Sequence, residues 1–264
     1  MIIDFHTHIF PDHLAENALN FLSEKGKISP FTDGTLNGLL ESMEKSGVDV
    51  SVICNIATSP KQSDNIFNFC KKIRSDKILP LGSIHPESEN IEEYLKKYKS
   101  EGVKGLKLHP DYQNFYIDDK AVFYIYDLCE SFNLFIVFHC GIDIGYPPPY
   151  HATPERIKKI RENFKNLKIV AAHMGSFEMY DEVEEYLLGE DIYFDTAYCL
   201  DKMPQEDIKK FFGKHPIERF LFATDSPWCN QKNYVEILSS FKFLTDDDKE
   251  KIFSENAKKL LNIT

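Results

Sequence analysis

The chain has 264 residues, 42% of them hydrophobic and 28% charged, with a formal net charge of -11. That excess of acid argues against a nucleic-acid partner, because proteins that grip phosphate backbones carry clustered Lys and Arg. No apolar stretch reaches the eighteen or more residues that a bilayer-spanning helix needs, so no membrane partner is expected.

The chain opens MIIDFHTHIF, with no basic n-region and no small-residue cleavage site, so it reads as a strand and not as a signal peptide. This first apolar run covers 2–8. His6 and His8 lie two apart on it, so their side chains share a face, with Asp4 one step deeper on the same parity. Asp4 is placed either to orient a ligand imidazole or to pair within the floor of the fold. A helix-like segment from Thr35 to Met43 carries Leu36, Leu39, Leu40 and Met43 on one face and stops at Gly47. Runs follow at 48–57 and at 78–85, the latter ending on His85. Asn90 reads as the N-cap of a helix from Ile91 to Ser100 that stops at Gly102. The fourth run, 103–109, puts Lys107 and His109 on one face. The loop after it, HPDYQNFYID, offers Tyr112, Gln113 and Tyr116 for substrate choice.

The fifth run, 134–140, ends in His139 and Cys140. Its loop, GIDIGYPPPYHATP, brings Tyr146 and His151, aromatic and proline-stiffened in a way that suits a small organic molecule. Thr153 and Pro154 read as N-cap and first residue of a helix running through Phe164. On that helix Arg156 and Arg161 read as solvated. Runs at 167–173, ending in His173, at 192–197 and at 220–224 complete the set. The last is followed by Asp225, a carboxylate that should bind a metal or accept a proton, and by Pro227 and the single Trp228.

Eight such runs alternating with helices predict a parallel sheet covered on its faces. They close most naturally as one (β/α)8 TIM-type barrel, a domain spanning 1–264, since that fold takes roughly 250 residues. An open doubly wound sheet is the alternative, weakened by the lack of a Gly-rich turn after the first run. Of nine histidines, His6, His8, His85, His109, His139 and His173 sit at or beside run ends, which in a barrel meet at the catalytic mouth. Imidazole and carboxylate ligands suit zinc or a similar divalent ion. Six cysteines, Cys54, Cys70, Cys129, Cys140, Cys199 and Cys229, have no CxxC spacing and read as reduced thiols of a cytoplasmic protein.

The motifs MIIDFHTHIFP, GLKLHP, VFHCG, AAHMG and FATDSPW, in that order along the whole chain, resemble the strand-end motifs of the amidohydrolase superfamily. The branch they look most like is the amidohydrolase-related one that includes aminocarboxymuconate semialdehyde decarboxylase. The resemblance implies that His6, His8, His139 and Asp225 hold one divalent metal, usually zinc, and that His173 activates or orients water or substrate. In relatives with two ions a carboxylated lysine on the fourth strand bridges them, and the fifth- and sixth-strand histidines serve the second ion. Lys107, His139 and His173 stand on those strands.

The expected activity is therefore hydrolysis of an amide, ester or lactone by a metal-activated water, with Asp225 or His173 moving the proton. His109, Lys107, Tyr112 and Trp228 are the expected substrate contacts. Decarboxylation of a small unsaturated or aromatic acid is the alternative, ranked second because none of the four arginines falls at a run end. A TatD-like nuclease, a phosphoesterase opening on a similar strand, a non-catalytic metal-binding barrel and a homo-oligomeric state also stay open.

Overall fold

The computed structural model describes residues 1–263. Eight strands alternate with helices in the (β/α)8 plan: β1 (Ile3–Thr7), β2 (Val50–Ile53), β3 (Ile78–Pro80), β4 (Gly105–Leu108), β5 (Phe135–Phe138), β6 (Ile169–Ala171), β7 (Tyr193–Asp195) and β8 (Phe220–Leu221). The strands are shorter than the apolar runs that announced them. The C-terminal residues of the runs, including His8, His85, His109, His139 and His173, therefore lie past the regular ladder, whereas His6 stays within β1. No helix among the described residues is long and apolar enough to cross a membrane.

The chain forms two compact units, with the polypeptide passing between them at residues 53–54, 74–75, 79–80 and 194–195. In the first unit (residues 1–53, 75–79 and 195–264) β1 pairs in parallel with β2, Ile3 opposite Val50. On its other side β1 meets the segment of β8, through Phe5 N to Phe222 O (2.8 Å) and Asp225 N to His6 O (2.8 Å). All five residues of β1 are buried, as a parallel strand covered on both faces requires. Thr35 caps the helix Leu36–Ser46, its side chain accepting from Gly38 N, and Gly47 ends it in the left-handed region, as expected.

In the second unit (residues 54–74 and 80–194) β4, β5, β6 and the start of β7 pair in parallel, with Lys107 opposite Val137 and Val137 opposite Val170. The helix Ile91–Ser100 starts after Asn90, but Asn90 is itself left-handed (φ 58°) and its side chain makes no capping bond. Thr153 and Pro154 open the helix Pro154–Asn163 as read, also without a side-chain cap. Arg161 is not solvated. It is buried and donates to the carbonyls of Phe164, Leu167 and Asp191, tying its helix to the following strands. Arg156 is half-buried, paired with Asp118 and lying over the Tyr116 ring. All six cysteines are buried free thiols.

Candidate functional site

In the first unit the parity argument holds: His6 and His8 both reach Asp225. His8 Nε2 lies 3.1 Å and His6 Nε2 3.7 Å from Asp225 Oδ1. These three donor atoms lie within 4.8 Å of one another. Asp225 is presented by a left-handed backbone (φ 68°), a conformation that costs a non-glycine residue on the order of 1–3 kcal/mol and marks functional positions. It caps no helix: the next one, Gln231–Ser240, is capped by Asn230. Trp228 is half-buried and donates its backbone N to Asp225 O.

Behind His6 stands a residue that sequence reasoning passed over. Asp195, at the end of β7 and fully buried, places Oδ2 2.8 Å from His6 Nδ1. A carboxylate on Nδ1 holds the proton there and leaves the Nε2 lone pair facing Asp225, the brace that metal-binding histidines commonly have. The signal was visible as a carboxylate within the seventh run, but nothing local said which histidine it served. Asp4 does not orient a ligand. Its carboxylate accepts from Thr224 N and Oγ and from Gln231 Nε2, joining β1 to the β8 segment. Burial pushes its pKa up to about 7, against those hydrogen bonds.

The second unit gathers His109, His139, His173 and Asp143. The His139 and His109 rings stack flat at 4.0 Å and 8°, and Tyr112 covers the other face of His109 at 3.8 Å, with Tyr146 beyond it. His109 Nδ1 accepts from Tyr112 N, which assigns the ring proton to Nε2, 3.1 Å from Asp143 Oδ2. His139 Nδ1 is 3.0 Å from His173 Nε2. His139 Nε2 is buried and has no hydrogen-bond partner among the described residues. Burial, with His109 and His173 close by, holds this imidazole well below its ordinary 6.5, while Asp143 opposes the shift. A neutral ring with an orphaned nitrogen fits a cation ligand. His173 and Met174 are both left-handed (φ 62° and 56°). Lys107 is fully buried in this unit.

Other polar residues at or after the run ends make local or structural contacts. Gln113 donates to Ala57 O and Ile84 O and accepts from His109 N, so it fastens the turn after β4 and is not free to choose a ligand. His85, five residues past β3, accepts from Glu87 N in a local turn and joins neither cluster. His151 lies 2.9 Å from Asp111, another pairing that the sequence did not reveal. Gly141 is required by close approach: with φ 86°, a Cβ there would sit 2.3 Å from Phe177 N.

The amidohydrolase family profile matches residues 3–263. No curated protein matches the sequence. An uncharacterized Tim-barrel protein from Bordetella bronchiseptica has the same fold, with a TM-score of 0.78, 21% identity, and 99% and 98% of the two chains covered. The 5-carboxyvanillate decarboxylase of Novosphingobium aromaticivorans, crystallised with manganese and 4-hydroxy-3-methoxy-5-nitrobenzoic acid, gives 0.72 at 13% identity, covering 100% and 96%. The 2,6-dihydroxybenzoate decarboxylase from Rhizobium gives 0.69 at 15% identity, covering 99% and 98%.

Proposed function

The chain belongs to the amidohydrolase family, and from that premise we propose that it is a metal-dependent enzyme that releases carbon dioxide from a small unsaturated or aromatic acid. The observation carrying the reading is the donor set His6, His8 and Asp225 with His6 braced by Asp195. His6, His8 and Asp225 would hold a divalent ion, zinc or manganese. The family resemblance implies that His139 is a metal ligand, and its orphaned Nε2 is a nitrogen suited to a cation. When bound, the ion supplies a Lewis acid for the oxygens of the substrate.

Support for lyase chemistry over the hydrolysis ranked first on sequence comes from the relatives of named activity, which are decarboxylases of substituted benzoic acids, one of them with manganese. In this reading Asp225 carries the proton to the carbon that loses carbon dioxide. His173, hydrogen-bonded to His139, orients the substrate. Lys107 contributes the positive charge that arginine does not, and Tyr112 and Trp228 give aromatic surface. Metal-assisted hydrolysis is the second reading. It is favoured by the arginines: Arg74, Arg156 and Arg161 are committed to Gly102 O, Asp118 and backbone carbonyls.

The test is carbon dioxide release from a panel of hydroxybenzoic and unsaturated acids, run beside a panel of lactones, esters and cyclic amides, each with added Mn2+ or Zn2+. Turnover confined to the second panel overturns the lyase reading. With any substrate found, His173→Asn should abolish turnover while the ion stays bound; normal activity would make His173 structural only.

A further inference from the structure

We infer that Asp143 is a cation-binding carboxylate that shares a divalent ion with His139. This rests on the reading that the chain takes up such an ion, and it adds a ligand that the resemblance does not assign.

The carboxylate is held in place from one side. Its Oδ1 accepts from Gly145 N at 2.7 Å, which turns Oδ2 toward the two stacked imidazoles. Oδ2 lies 3.1 Å from His109 Nε2 and 3.8 Å from His139 Nε2. The second distance is too long for a hydrogen bond. It suits two ligands of one ion, since donors each about 2.0–2.2 Å from zinc stand roughly 3–4 Å apart. On His139 the Nδ1 edge is occupied by His173, so Nε2 is the nitrogen left for an ion. The donor atoms of His109, His139 and Asp143 all lie within 4.8 Å of one another, and all three residues are buried.

The loop carrying Asp143 is anchored at both ends. Gly141 N donates to Ala152 O (3.0 Å), Gly141 bridges to Phe177, and His151 near the far end meets Asp111 in the turn after β4. That turn and that loop are thus joined by two crossed pairs, His109 with Asp143 and Asp111 with His151. The first pair adjoins the orphaned Nε2 of His139, and these three residues bring their donor atoms together as ligands of one ion would be. The second serves as an internal control for loop anchoring.

The experiment titrates metal-stripped protein with Mn2+ and separately with Co2+, reading affinity, stoichiometry and the Co2+ absorption bands. Asp143→Asn is nearly isosteric and keeps an acceptor for Gly145 N. It should weaken an ion by on the order of a hundredfold or more, beyond the roughly 10–100-fold lost when a residue merely orients a ligand. Asp111→Asn should leave both affinity and bands unchanged, and His109→Gln should cost less than Asp143→Asn. If the Asn variant does not fold, Asp143→Glu carries the test: shifted Co2+ bands keep residue 143 in the ligand set, and bands superimposable on wild type remove it. Unchanged affinity in Asp143→Asn, or an equal loss in His109→Gln, overturns the inference while leaving the metal reading intact. A wild-type protein that takes up neither ion overturns both.

Discussion

Replacing Asp195 by Asn should damage metal binding more than replacing it by Ala. The two oxygens of Asp195 have different tasks: Oδ1 accepts from Ala197 N at 3.2 Å, and Oδ2 faces His6 Nδ1 at 2.8 Å. An Asn side chain satisfies Ala197 N only with its oxygen on that side, which points its NH2 at His6 Nδ1. The ring must then accept at Nδ1 and carry its proton on Nε2, so the lone pair aimed at Asp225 disappears. Losing a carboxylate that braces a ligand histidine typically costs roughly 10–100-fold in metal affinity, about 1.4–2.8 kcal/mol. The Asn variant adds the cost of the wrong tautomer and should fall at or beyond the upper end. The Ala variant leaves the ring free to choose its tautomer and should fall near the lower end. Mn2+ titration of stripped wild type and both variants, with circular dichroism to confirm folding, is the assay. An Asn variant within threefold of wild type, or an Ala variant weaker than Asn, would refute the assignment of Asp195 as the brace of His6.

Asp4 sets a pH dependence of stability. Because folding raises its pKa from an ordinary 3.8 to about 7, the stability it contributes is complete below 3.8 and is lost as the pH rises through about 7. Asp4→Asn is neutral throughout and should gain on wild type between pH 5 and 8, by at most about 3 kcal/mol in chemical denaturation. A constant difference across that range would show that the carboxylate is ionised at both pH values. Gly141→Ala must move Phe177 or the loop away from a 2.3 Å contact, and should cost more than about 2 kcal/mol of stability; an unchanged melting temperature would refute the tight approach. Lys107→Ala should lower activity, and metal analysis separates its roles. A fall from two ions to one supports a carboxylated bridge, and an unchanged single ion supports a substrate contact. If metal and activity both survive, Lys107 is a buried structural lysine. The one-domain reading of 1–264 predicts a single cooperative calorimetric transition, and two resolved transitions would contradict it.

What the sequence determined is what local physics controls. The strand period of two put His6 and His8 on one face, and both reach Asp225. Thr35 and Gly47 bounded their helix because a capping hydroxyl and a left-handed glycine act within a few residues. Eight apolar runs separated by amphipathic segments were enough for the fold plan. The partners of the histidines were another matter. Asp195 is 189 positions from His6, and no spacing rule links a run end to the imidazole it will brace. Asp143 and His151 looked like loop residues, and Arg161 looked solvated, until chain packing brought His109, Asp111 and three backbone carbonyls against them. Polar side chains carry no periodic signal of their own. Once buried, each must find whatever complementary group the neighbouring strand ends supply, and that choice exists only in three dimensions.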